Sequence, residues 1–296
     1  MARIISAVFS IVAFIIGIFG NAANIGKPYK TFENVPYGCD EQQKVDVYLP
    51  KNADKEIGLM VFVHSGAWIS GYRSEFKRQM QQYAEQLGIA AASVGYRFTG
   101  GDTAVTSEDM LDDITAAVKA AQTVAAANGV SFDSMALYGL SAGAHLSLLY
   151  AYKCADTSPV PIAYVVSNAG PSDFTNPAYF TADGSGGVSA VLPIGELCGA
   201  ELSRGLGDAE TVCRLKAASP ITYVGSGSVP TVLAHGDCDP VVPYSDSAAL
   251  AARLAEAGVE HYLFTYHGVD HLLTGETDND ADYNALLLRL ANEYLR

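Results

Sequence analysis

Gly139-Leu140-Ser141-Ala142-Gly143 sits where the sequence changes its periodicity: Ser134 to Tyr138 lead up to a strand end, and Ala142 to Tyr152 read as a helix. A Gly-x-Ser-x-Gly in that context is a sharp strand-to-helix turn. The serine is forced into a strained backbone conformation, and the flanking glycines let strand and helix approach without side-chain collision. The Ser141 hydroxyl is thereby exposed at a helix N-terminus, where backbone N–H groups and the positive end of the helix dipole meet developing negative charge. Ser141 is the candidate nucleophile.

Outward from this turn, strands and helices alternate. Lys44-Val45-Asp46-Val47-Tyr48-Leu49 alternates polar and apolar residues and predicts a half-buried, antiparallel edge strand ended by Pro50. Gly58 to Val63 is continuously apolar, as in a strand covered by helices on both faces. Phe76 to Leu87 predicts a helix, Ile89 to Tyr96 a strand, and Ser107 to Asn128 a long Ala-rich helix. Further strands are expected at Ile162 to Ser167, Thr231 to His235 and His261 to Tyr266, and helices at Ser245 to Ala257 and Ala281 to Leu295. This order implies the α/β class, with a mostly parallel central sheet flanked by helices and functional loops at the carboxyl ends of the strands. Pro171 to Val229 breaks the rhythm and includes Gly184-Ser185-Gly186-Gly187. So long a segment is expected to form a cap or lid of small helices, with Tyr179 and Phe180 as walls of a substrate pocket; a merely structural cover over the sheet is the alternative.

Three other strand ends carry polar motifs: His64-Ser65-Gly66-Ala67-Trp68, His235-Gly236-Asp237-Cys238-Asp239-Pro240-Val241-Val242-Pro243 and His267-Gly268-Val269-Asp270-His271. Together with Gly139 to Leu146, they resemble the esterase and lipase branch of the α/β-hydrolase superfamily. The nearest groups are the hormone-sensitive-lipase-type carboxylesterases and the bacterial feruloyl and acetylxylan esterases. The likeness runs from about Tyr37 to the C-terminus and takes in Val45 to Pro50, Gly95-Tyr96-Arg97 and Ser219-Pro220-Ile221.

The resemblance implies an α/β-hydrolase catalytic domain over residues 37–296, with the cap-like insertion at about 171–229. It implies a serine hydrolase that cleaves carboxylic esters of short or aromatic acyl groups through an acyl-enzyme, with no cofactor and no metal. By the same likeness Asp239 is the acid, with Asp237 competing, and His271 is the base, with His267 competing. The backbone amides of Gly66, Ala67 and Ala142 would form the oxyanion hole. The chain departs from the family pattern at Ser65, where glycine is usual: a positive φ there would strain the serine, and otherwise its hydroxyl orients the loop or contacts substrate. His64 is read as a loop anchor, Trp68 as packing and His235 as a structural turn residue. A same-fold peptidase, formamidase or thioesterase would use the same residues. A catalytically silent binding module is the reading from another class, and the complete Ser, Asp and His set opposes it.

A formal net charge of −14 over 296 residues opposes binding to nucleic acid or anionic headgroups and says little about a neutral substrate; it is the resemblance that implies a small-molecule or polysaccharide-linked ester as partner. Met1-Ala2-Arg3, an apolar run from Ile4 to Phe19 and Gly20-Asn21-Ala22 read as a signal peptide over residues 1–22. The run is shorter than the roughly 20 residues of a spanning helix. An uncleaved membrane anchor is the competing reading, and either one exports the catalytic part. Export permits disulfides among Cys39, Cys154, Cys198, Cys213 and Cys238. Cys198 and Cys213 are the candidate pair, whose closed loop would add about 3 kcal/mol by restricting the unfolded chain.

Overall fold

The computed structural model describes residues 27–101, 104–180, 193–273 and 278–296; the expected leader at 1–22 and the glycine-rich stretch at 184–187 lie outside them. Eight strands form one sheet: β1 (Tyr29–Pro36), β2 (Lys44–Pro50), β3 (Glu56–Val63), β4 (Ala90–Val94), β5 (Ser131–Leu140), β6 (Ile162–Asn168), β7 (Thr231–Gly236) and β8 (His261–Tyr266). Their order is β1-β2-β4-β3-β5-β6-β7-β8. The β1–β2 and β2–β4 pairs are antiparallel, and all later pairs are parallel. The helices are α1 (Lys77–Gln82), α2 (Ser107–Ala127), α3 (Ala142–Lys153), α4 (Ile194–Cys198), α5 (Ala209–Ala217), α6 (Tyr244–Glu256) and α7 (Asp278–Tyr294).

The continuous apolar character of β3 follows from a core on each face. Leu59, Val61 and Val63 pack in the layer that holds α2, α3 and α6, whereas Met60 and Phe62 pack with Met80 of α1 and Leu286 and Leu290 of α7. Because successive side chains point to opposite faces, both parities must be apolar. The long α2 starts at a capping box, in which Thr106 and Asp109 satisfy each other's free amides, a contribution of about 1 kcal/mol.

Several expectations are corrected. The strand at Lys44–Pro50 is interior, because β1 pairs outside it. The alternation that suggests an edge includes Asp46, whose carboxylate accepts the Asn34 amide at 2.6 Å and meets Arg73 at 3.3 Å. The sheet thus begins eight residues before the expected boundary at Tyr37. Within 171–229, the described residues form short helical pieces, α4 and α5 among them, joined by single 3-10 turns. Tyr179 is no pocket wall: it is fully buried, packs on Phe174 and donates its hydroxyl to Asp246 at 2.8 Å. Phe180 packs, partly buried, on the same core. Cys198 and Cys213 are not bonded to each other. Cys198 packs against the core at the end of α4, while Cys213 lies on the exposed side of α5, whose inward residues are Thr211 and Leu215.

Candidate active site

The turn after β5 has the strain its sequence demands. Ser141 adopts φ 54° and ψ −120°, in the left-handed half of the map that side chains avoid. Its amide donates to the Asn168 carbonyl at the end of β6, 2.8 Å away, and its carbonyl accepts from His145 in the first turn of α3. The flanking glycines are required by contact. A Cβ on Gly139 would come within 2.2 Å of the Gly143 carbonyl carbon, and one on Gly143 within 2.0 Å of the Val63 carbonyl oxygen. The second contact sets the nucleophile turn directly against the end of β3, where the His64–Trp68 loop begins.

In that loop the left-handed residues are Gly66 (φ 116°), Ala67 (φ 51°) and Trp68 (φ 61°). Ser65 is not among them, so its replacement of glycine adds no such strain. Instead its amide and hydroxyl both donate to Glu75 Oε2, at 3.0 and 2.9 Å, which ties the loop to the turn before α1. The Gly66 carbonyl accepts from Ile69 and Ser70 and closes a tight turn. Trp68 is buried and donates its indole N–H to His145 Nδ1 at 3.2 Å. His64 is also buried, with Nδ1 donating to the Ser65 carbonyl at 2.8 Å and its ring stacked on Tyr96. Burial pushes its pKa down to about 4, which leaves it neutral and structural. His145 is pushed down to about 4 by the same cause. Gly66 and Ala67 thus lie on one turn and Ala142 on another, and the two turns touch where Gly143 meets the end of β3.

Asp239 and His271 come to Ser141 from β7 and β8. The Ser141 Oγ to His271 Nε2 distance is 2.9 Å, and His271 Nδ1 lies 2.7 Å from Asp239 Oδ2. Asp239 Oδ1 accepts the Val241 and Val242 amides at 2.7 and 2.9 Å. Burial of this carboxylate would raise its pKa, but hydrogen bonds from His235, His271 and the Val242 amide hold it well below the usual range. The competing residues pair with each other elsewhere. His267 Nδ1 lies 2.9 Å from Asp237 Oδ2, and Asp237 Oδ1 accepts the Gly268 amide at 2.7 Å, so this exposed pair braces the two loops. The loops meet because Gly236 has no side chain: a Cβ there would lie 2.2 Å from the Val269 carbonyl oxygen.

Two features escaped the sequence reading. His235 is a second imidazole on Asp239, with Nε2 3.0 Å from Oδ2. Asp246, at the start of α6, gathers the Ser172 and Asp173 amides, the Asn176 side chain and the Tyr179 hydroxyl, and so fastens the start of the 171–229 segment beside the acid loop. The i, i+4 spacing of His235 and Asp239 was the available hint for the first; no local signal marks the second.

As an arrangement, His271 is hydrogen-bonded to Ser141 through one ring nitrogen and to Asp239 through the other, a geometry suited to proton transfer. Among the described residues, no three His, Cys, Asp or Glu side chains are grouped to hold a metal ion, and no helix is long and apolar enough to cross a membrane.

A non-reducing polyketide synthase of Stereocaulon alpinum is 23% identical over 309 residues, covering 84% of this chain and 12% of that protein. The Oryza sativa subsp. japonica protein named "Probable isoprenylcysteine alpha-carbonyl methylesterase ICME" is 26% identical over 283 residues, covering 91% of this chain. The chain spans 66% of that relative's length. Among solved structures, a truncated form of a carbohydrate esterase from gut microbiota superposes with a TM-score of 0.70 at 20% identity, covering 90% of this chain and 98% of that one. These likenesses agree with the α/β-hydrolase fold of the sheet. The BD-FAE family model matches residues 45–254, and the chain belongs to the BD-FAE family.

Proposed function

We propose that the chain is a carboxylic ester hydrolase. The observation that carries this reading is the unbroken hydrogen-bond line from Ser141 Oγ through His271 to Asp239, at 2.9 and 2.7 Å. Ser141 attacks the ester carbonyl, His271 takes its proton and returns it to the leaving alkoxide, and water activated by His271 then releases the acid from the acyl-enzyme. Asp239 holds the tautomer and stabilises the imidazolium. The Gly66, Ala67 and Ala142 amides receive the oxyanion, and loss of one such donor costs about 10²–10³ in rate. The methylesterase name of the rice relative supports an ester leaving group. The acyl group in this reading is short or aromatic, on a small molecule or a polysaccharide.

A fluorophosphonate probe should label the folded protein and fail to label Ser141→Ala; absence of labelling in the parent protein would refute the assignment. A panel of acetyl, butyryl, octanoyl and feruloyl esters tests the acyl class, and equal failure on all four would direct attention to amides or thioesters. Export rests on the Met1 to Ala22 sequence alone and is tested by the mass of the secreted protein.

A further inference from the structure

Two imidazoles approach the same oxygen of Asp239. His271 Nδ1 lies 2.7 Å from Oδ2 and His235 Nε2 lies 3.0 Å from it. Each ring then meets a serine through its other nitrogen: His271 Nε2 with Ser141 Oγ at 2.9 Å, and His235 Nδ1 with Ser247 Oγ at 2.7 Å. The two arms differ in exposure. Ser141 is 8% exposed, whereas His235 and Ser247 are sealed at 0% and 1%.

The hydrogen bonds assign the inner ring's proton. His235 Nε2 faces two groups that only accept, Asp239 Oδ2 and the Val242 carbonyl at 3.1 Å, so Nε2 carries the hydrogen. Nδ1 then either accepts the Ser247 hydroxyl or, in an imidazolium, donates to it. A permanent imidazolium here would oppose the one that must form on His271 during proton transfer, because both share one carboxylate.

Resting on the ester-hydrolase reading, we propose that His235 is a positioning residue: a neutral Nε2–H donor, held in that tautomer by Ser247, which orients the Asp239 carboxylate and tempers its pull on His271. A carboxylate that already receives one imidazole N–H stabilises the imidazolium of His271 less than a carboxylate without it. Removing the inner donor should therefore raise the proton affinity of His271. Other ionisable groups packed around the pair are Tyr244 of α6, with its ring edge-on 5.8 Å from His235, and Asp246 of α6 with Tyr179. The Asp237–His267 pair lies on the same two loops.

Two variants separate donation from mere packing. Glutamine can place its amide nitrogen where Nε2 lies, whereas asparagine reaches only the Nδ1 position. In His235→Asn, the acid limb of kcat/KM for p-nitrophenyl acetate should move up by about half a pH unit or more, and His235→Gln should restore it toward the parent profile. Identical acid limbs in all three proteins would overturn the proposal. Proton–nitrogen NMR correlation spectra of the isotope-labelled parent protein provide a readout independent of turnover. His235 should show a protonated Nε2 and a bare Nδ1 throughout the titration of His271, and Ser247→Ala should shift the Nδ1 signal. A doubly protonated ring, an Nδ1–H tautomer, or an unmoved Nδ1 signal in Ser247→Ala would overturn it. If the parent protein turned over no ester, the function reading would fail while the spectra still decided the tautomer.

Discussion

Asp239 and Asp246 are two buried carboxylates at one end of the sheet, and each accepts four hydrogen bonds. Those of Asp239 come from His235, His271 and the Val241 and Val242 amides. Those of Asp246 come from the Ser172 and Asp173 amides, Asn176 and Tyr179. Yet the proton affinities diverge. Burial raises the pKa of Asp246 despite its donors, while at Asp239 the imidazole and amide hydrogen bonds overcome burial and lower it. The number of hydrogen bonds does not distinguish the two; the deeper burial of Asp246 and the imidazole donors of Asp239 do. In the proposed reaction Asp239 answers a charge that comes and goes on His271, whereas Asp246 fastens a segment.

The comparison breaks most sharply in activity. Asp239→Asn should lower kcat by about 10⁴ with little change in KM, because a neutral amide at this position favours the wrong tautomer. Asp246→Ala, assayed well below its melting temperature, should retain activity within about tenfold. Comparable losses in the two variants would erase the distinction. The largest stability effect should fall on the other carboxylate: Asp246→Ala strands four donors and should cost about 3–4 kcal/mol in denaturant unfolding.

Acid titration separates the pair by sign. Asp239 has a folded pKa below its unfolded one, so its contribution is complete above about pH 4 and is lost as pH falls through the folded value. Asp246 has the reverse shift, so it favours the folded state as pH falls and loses that advantage as pH rises through its folded pKa. His64 and His145 fall from 6.5 to about 4 in the fold and withhold protons that the unfolded chain binds. Stability should drop by about 3 kcal/mol for each of these histidines between those values. Asp246→Asn removes a counterweight, so its melting temperature should decline more steeply than the parent's toward pH 4, and parallel declines would contradict the sign given to Asp246. The smallest effect is expected for Tyr179→Phe, which removes one of the four bonds at a cost of about 1 kcal/mol in unfolding free energy, with kcat unchanged.

What could be read from sequence was whatever a short window encodes. The α/β alternation lies in runs such as Leu59 to Val63, and the turn at Ser141 in two glycines whose absent side chains the backbone needs. The choice of Asp239 and His271 over Asp237 and His267 rested on motif spacing, and the structure brings the chosen two, not their neighbours, to Ser141. Contacts between distant segments were beyond reach. Tyr29–Pro36 mixes polar and apolar residues and becomes a strand through its pairing with β2. Tyr179 looked like a pocket aromatic because its partner Asp246 lies 67 residues away. The pairing of Cys198 with Cys213 fails because loop length says nothing of helix rotation: both thiols are free, Cys198 against the core and Cys213 exposed.

The loop from His64 to Gly71 is fastened at several points: Ser65 to Glu75, Trp68 Nε1 to His145, the Trp68 carbonyl to the Thr99 amide, and its own turn at Gly66. Three successive left-handed residues inside those fastenings leave few alternative conformations at comparable energy. The backbone of this loop should therefore superpose closely between the free protein and its phosphonylated adduct, with little reorganisation.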